Sequence, residues 1–217
     1  MNSDREPIHI VWLKRDLRLE DHPPLRNALL SKRRVLLLYV FEDILFKDPH
    51  YSPRHFDFIK QSIKTLNDQL KSYNSKVLCV IGKLTKVLES ISKVYRIEKI
   101  WAHQETGVMT TFKRDRELGQ WCDESLISFE EHLQQGVFRG IKNRVNWLRK
   151  WDALMNETII PTPLKKDLLI TKREISQLED EIPTMELEVK AHTKRQMGGS
   201  EYGFRYLNSF NTQRSNV

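Results

Sequence analysis

The sequence predicts an α/β fold: a doubly wound, Rossmann-like parallel sheet of about five strands, with helices on both faces, followed by a linker. Three observations predict it. Strand-length apolar runs alternate with amphipathic helical stretches from Ile8 to about Glu131. The runs are continuous rather than alternating in polarity, which marks strands covered on both faces. The first run ends abruptly in Lys14-Arg15-Asp16, placing charge at a strand's carboxyl end, where open parallel sheets form their ligand crevice.

Ile8 to Leu13 reads as the first strand, bounded by Pro7 and the charged cluster. Pro23-Pro24 suits the first turn of a helix, where a missing N–H costs nothing, and Leu25, Ala28 and Leu29 keep helical spacing up to Lys32. Val35 to Phe41 is the second strand, completing a βαβ unit with an expected right-handed crossover. Ser52-Pro53 starts the next helix as N-cap and first position, and Phe56, Ile59, Ile63, Leu66, Leu70 and Tyr73 form its apolar stripe. Lys76 to Gly82 is the third strand, Leu84 to Tyr95 a helix, Ile97 to His103 the fourth strand, Phe112 to Cys122 a helix, and Leu126 to Glu130 the fifth strand. Beyond these, Asn143 to Met155 keeps helical spacing until Pro161 and Pro163 stop it. Residues 164–195 are charged, with scattered Leu and Ile, and read as a long interdomain linker with one helical segment. The predicted division is therefore 1–135, an α/β domain; 136–195, a helix and linker; and 196–217, the start of a further domain with too little chain behind it to build a core.

A net charge of +7 favours polyanionic partners, nucleic acid first. The hydrophobic fraction of 39% and mean hydropathy of −0.55 are low for a compact globule, so part of the chain is expected to be solvated or to await a partner surface. Cys79 and Cys122 sit in apolar neighbourhoods without metal spacing and read as reduced core residues of a cytoplasmic protein. No run approaches ~18 apolar residues, so no membrane partner is expected. The polar start lacks the basic and apolar regions of a secretory signal.

Glycine motifs for a dinucleotide, a P-loop or a hydrolase nucleophile are absent, as is any H-E-x-x-H spacing, so no metal is expected. Asp16 and Glu42 are either a facing carboxylate pair or partners of nearby arginines, and the closeness of Arg15 and Arg18 favours the second. Lys14 and Arg15 read equally as an anion site and as an ion-pair network, whereas Arg18 reads as structural. Phe41 is either a stacking surface for a flat ligand or the last core residue of its strand. If the strand end is a pocket wall plus a structural turn, Lys14→Ala should spare folding and Asp16→Ala should lower stability.

Trp12-Leu13-Lys14-Arg15-Asp16-Leu17-Arg18-Leu19-Glu20-Asp21-His22 resembles the first strand of the photolyase and cryptochrome family, W-F-R-R-D-L-R-L-x-D-N. Further segments resemble it in the family's order: Tyr39-Val40-Phe41-Glu42; Ser52-Pro53-Arg54; Glu105 followed by Arg114-Asp115; Gln135 to Arg144 with Trp147; and Gly198-Gly199-Ser200-Glu201 followed by Leu207 and Phe210. The resemblance implies an N-terminal antenna-type α/β domain, with an antenna pocket built by Lys14, Arg15, Phe41, Asp43, His50, Arg54 and Glu105 and no catalytic residue in this chain. It implies FAD and a DNA-lesion pocket in a C-terminal helical domain, DNA as partner of the longer protein, and blue-light-driven splitting of pyrimidine dimers or signalling. Thr110-Thr111, standing where folate-binding members tend to carry Asn-Glu, favours a flavin or deazaflavin antenna over folate. The alternative reading is a stand-alone nucleotide-binding or light-signalling module without repair activity.

Overall fold

The computed structural model describes residues 5–189 and 195–214. Met1 to Asp4, the end of the predicted linker at 190–194 and the last three residues lie outside the described part. The elements in chain order are β1 (Pro7–Trp12), α1 (Pro23–Leu30), β2 (Arg34–Phe41), α2 (Asp43–Phe46), α3 (Pro53–Leu70), β3 (Leu78–Ile81), α4 (Leu84–Val94), β4 (Arg96–His103), α5 (Met109–Glu124), β5 (Ser128–His132), α6 (Trp147–Met155), α7 (Lys172–Glu179) and α8 (Ser200–Ser209).

The five strands form one sheet in the order β3-β2-β1-β4-β5, with every pairing parallel. Its register sets Ile10 between Leu36 and Ile100. The two-residue period of β1 then sorts its side chains. Ile8, Ile10 and Trp12 join Leu36 and Leu38 under α4 and α5. Val11 and Leu13 join Leu37 and Tyr39 under α1 and α3. Burying both faces accounts for the continuous apolar runs, each large aliphatic side chain contributing about 1.5–3 kcal/mol.

Two expectations shift. The fifth strand starts at Ser128, because Leu126 takes a left-handed backbone (φ 57°) and the Ile127 N–H donates to the Cys122 carbonyl, closing α5. The segment expected to be a linker packs down instead. Ile170 N–H donates to the Val35 carbonyl, Ile81 N–H to Pro183 and Met185 N–H to Cys79. Ile170, Ile175, Leu178 and Ile182 enter the core. A Thr171–Glu174 capping box starts α7, and Arg34 holds Glu174 in a two-bonded fork. This returning chain covers β3, which would otherwise be an open sheet edge. No described helix is long and apolar enough to cross a membrane.

Candidate chromophore pocket at the carboxyl edge of the sheet

A cavity of about 610 Å³ opens over the carboxyl ends of β1 and β2, within the range of ordinary ligand sites. Trp12, Tyr39 and Val40 form its floor, Lys14, Arg15 and Arg18 come from the turn after β1, and Glu105 to Thr111 from the turn after β4. The first three turns of α3 close one side with His55, Phe58, Ile59 and Ser62, and Gly199-Ser200 at the start of α8 touch the rim. The helix stands there because Ser52 and His55 cap each other and Pro53 opens the first turn. Gly198 lets the chain lie against α3, where an added Cβ would sit 2.1 Å from the Phe58 carbonyl oxygen.

Behind the β1 side lies a lattice of ion pairs. Lys14 Nζ bonds Asp115 at 2.7 Å and lies 4.4 Å above the Trp12 ring, beside the guanidinium of Arg114 at 4.6 Å. Arg114 reaches Glu42 (3.0 Å), Asp115 (2.9 Å) and Glu105 (3.3 Å), and Arg139 reaches Glu131 (2.7 Å) and the Glu105 carbonyl. Burial pushes the Glu42 carboxyl above its usual range despite Arg114. Burial alone would lower the Arg114 pKa, but Asp115 and Glu42 outweigh it and raise it. With Arg15 near Glu105 at 3.7 Å, four cations meet four carboxylates, and the wall is neutral. Two guanidiniums at the cavity are free to meet an anion: Arg15, whose side chain is 47% exposed and is held by Tyr51 Oη at 3.4 Å, and Arg18, which is bonded to the Glu20 and Asp21 carbonyls rather than to a carboxylate.

Beneath the turn, Asp16 is buried and accepts from the Lys14 N–H at 2.6 Å and from His103 Nδ1, while His22 Nε2 lies 2.9 Å from it without a directed hydrogen bond. Burial alone would raise its pKa; His22 and His103 together hold the carboxyl well below the usual range. Burial lowers the His103 pKa by more than Asp16 raises it, so its ring stays neutral. Asp16, His22 and His103 have ligand atoms close enough for a metal ion. The tautomer argues against one: His22 Nδ1 caps α1 by accepting the Leu25 N–H at 3.1 Å, so the proton sits on Nε2, the ring nitrogen beside Asp16. The trio is a buried polar staple joining β1, α1 and β4.

The structure thus brings Lys14, Arg15, His50 and Glu105 to the cavity. It does not bring Phe41, Asp43 or Arg54. Phe41 is 1% exposed and packs edge-on to Tyr39 at 4.8 Å, leaving no free face, and Tyr39 two residues earlier takes the floor position. Asp43 faces solvent because β2 turns directly into α2, where an acid suits the helix N-terminus. Arg54 points from the exposed side of α3 into a neighbouring cavity of about 340 Å³ with Arg195 and Met197. Lys14 reaches the cavity only with its flank, because its amine is turned inward to Asp115. Asp16 and Glu42 are not a facing pair: histidines hold one and Arg114 the other. Sequence reasoning missed Tyr39, Tyr51 and His55 as cavity residues. The signal for the staple was His22 itself, a ring where the resemblance expects Asn.

The description "DNA photolyase" belongs to a family model that matches residues 9–140, more than half of the chain. The chain belongs to the DNA photolyase family. Among curated relatives, it is 31% identical over 104 residues to Cryptochrome DASH of Synechocystis sp., a match covering 46% of this chain and 21% of that protein. It is 30% identical over 105 residues to the chloroplastic/mitochondrial Cryptochrome DASH of Solanum lycopersicum, covering 46% and 18%. The photolyase fold extends beyond those segments. The Synechocystis cryptochrome crystal structure superposes with a TM-score of 0.75 at 19% identity, covering 97% of this chain and 47% of that one. A class III photolyase from Agrobacterium tumefaciens gives 0.70 at 16% identity, covering 95% and 45%. An archaeal photolyase from Sulfolobus tokodaii, described with two FAD molecules and a novel light-harvesting cofactor, gives 0.67 at 20% identity, covering 92% and 45%. The chain therefore spans about half the length of these solved relatives, and its matches to the curated ones span about a fifth of theirs.

Proposed function

We propose that this chain is the N-terminal, antenna-chromophore-binding half of a photolyase- or cryptochrome-like protein, and that the cavity over β1 and β2 is the chromophore site. The observation that carries the reading is the cavity itself: aromatic floor and side, the guanidiniums of Arg15 and Arg18, and a wall of ion-paired side chains. That set suits a flat ring system with an anionic tail better than a highly charged ligand. A flavin or deazaflavin is favoured over a folate. Thr111 stands on the wall with its hydroxyl already donating to the Val108 carbonyl at 2.8 Å, so it offers no free carboxylate to a pterin. The two FAD molecules and light-harvesting cofactor named for the Sulfolobus relative support a flavin here.

In this reading residues 1–135 form the antenna domain, 136–195 connect it, and 196–217 open a helical domain that holds FAD. The longer protein works in the cytoplasm on DNA, where photoexcited FAD supplies an electron that splits pyrimidine dimers. The present chain contributes the antenna pocket and no catalytic residue.

Equilibrium titration of the chain with riboflavin, FMN, an 8-hydroxy-deazaflavin and a reduced folate tests this. Flavin or deazaflavin should bind at least tenfold more tightly than folate, and Arg15→Ala should weaken FMN more than riboflavin. Absence of binding by all four would overturn the reading, as would dimer repair by this chain alone in light.

A further inference from the structure

The turn that ends α5 departs from local expectation in three ways. Its frame is regular: the Ile127 N–H donates to the Cys122 carbonyl and the Leu126 N–H to the Asp123 carbonyl, the paired bonds that close a helix through a left-handed residue. Glycine suits that position, yet a leucine holds it at φ 57°. The fold gives the leucine nothing in return, since it is 94% exposed. Asp123 and Glu124 lie in the last turn of the same helix, where the macrodipole disfavours acids, and neither forms an ion pair among the described residues. Local rules broken together, with no local gain, mark a segment whose use lies outside its own turn.

Beside the turn lies a groove of about 500 Å³ at the amino edge of the sheet. Ile97, Trp121 and Ile127 supply its apolar lining, and Arg5, Lys93 and Arg96 its cations. Arg96 is answered by Glu98 at 2.9 Å, and Glu89, the acid on the wall, by Lys86 at 2.8 Å, which leaves Arg5 and Lys93 to set a positive sign. Arg5 differs from an ordinary surface cation. Its Nε is buried and has no hydrogen-bond partner among the described residues, so the cost of desolvating that donor is not offset within the chain.

Turn and groove are opposites in shape and sign. One is an acidic pair carrying a protruding apolar side chain, the other a basic hollow with an apolar lining. Ser125 and Ile127, on either side of Leu126, belong to the groove wall, so both features share one small patch. We infer that this patch is a self-association surface, on which two copies of the chain meet about a two-fold axis and each seats its 123–126 turn in the groove of the other. A two-fold contact uses both features twice, and it offers carboxylates to the orphaned Arg5 donor of each copy. A foreign partner would have to reproduce the turn and the groove together. None of these residues lines the carboxyl-edge cavity, so the inference stands independently of the chromophore reading.

The test is sedimentation equilibrium of the 217-residue chain from micromolar to submillimolar concentration. The apparent mass should climb from 25.8 kDa toward twice that value, and less steeply at high salt, which screens the charged rim. Leu126→Gly should raise the thermal midpoint by relieving the left-handed backbone and yet weaken association by roughly tenfold or more. R5E/K93E and D123K/E124K should each keep the parent circular dichroism and remain monomeric alone, because each makes turn and groove alike in sign. An equimolar mixture of the two should recover the dimer, a result that requires turn to meet groove reciprocally. A chain that stays monomeric throughout overturns the inference, as does unchanged association of L126G or a mixture that stays monomeric. Association that survives L126G and disappears in L207D, on the exposed side of α8, overturns it equally by placing the interface elsewhere.

Discussion

Replacing Asp16 with alanine removes the buried acceptor shared by the Lys14 N–H and His103 Nδ1, and the carboxylate that lies 2.9 Å from His22 Nε2. Neither ring has another partner to turn to: His22 Nδ1 is committed to the Leu25 N–H, and His22 Nε2 and His103 Nε2 make no hydrogen bond. Each orphaned buried donor costs about 1–3 kcal/mol, and removal of one side of a buried charged cluster costs about 3–5 kcal/mol in all. A loss of about 4 kcal/mol is therefore expected for Asp16→Ala, a large share of the ~5–15 kcal/mol available to a domain. At this chain length it corresponds to a fall in Tm of roughly 8–16 °C. Asp16→Asn, which keeps an acceptor for the Lys14 N–H, should lose less. Urea unfolding at pH 7, followed by far-ultraviolet circular dichroism with linear extrapolation, measures the difference. A loss below about 1 kcal/mol for the alanine variant would refute the staple centred on Asp16.

Lys14→Ala should also destabilise, by about 1–3 kcal/mol, because the amine is buried on Asp115 and over Trp12; an unchanged thermal midpoint would contradict this. Burial lowers the pKa of His103, His9 and His132 in the folded chain. The unfolded chain then takes up protons first, so stability is full above pH ~6.5 and falls as the pH drops below it, by up to about 1.4 kcal/mol per pH unit for each proton of difference. Urea midpoints that rise between pH 7 and 5 would contradict that sign. Gly198→Ala should detach the start of α8 from α3, since its Cβ would meet the Phe58 carbonyl oxygen at 2.1 Å and Ser62 Oγ at 2.7 Å. Hydrogen exchange should then speed up over residues 195–214 and stay unchanged in the sheet; unaltered protection of that segment would argue against the contact.

The sheet was legible because parallel strands buried on two faces write themselves as unbroken apolar runs, and β2, buried from Val35 to Phe41, is the plainest case. The helix over Pro53–Leu70 was legible for the complementary reason, a stripe at three- and four-residue spacing. The return of residues 169–185 along β3 was not. Its core contacts are single residues (Ile170, Ile175, Leu178, Ile182) set among charges, a pattern shared by a solvated linker. At the site, Lys14, Arg15 and Glu105 were legible because each follows a strand directly. Tyr51 and His55 were not, because how the turn before α3 and the start of α3 meet the cavity depends on helix-to-sheet packing that no local spacing encodes. The misplacement of Phe41 has the same origin: a strand end shows which residue comes last, not which side of the pleat meets the opening.

The chromophore site at the carboxyl edge is tested most directly by amide chemical-shift mapping of the isotope-labelled chain during titration with FMN. Shifts should concentrate in 12–18, 39–40, 50–62 and 105–111, and leave 142–150 and the amino edge of the sheet unmoved. Saturable shifts confined to another surface, or none at millimolar flavin, would contradict it.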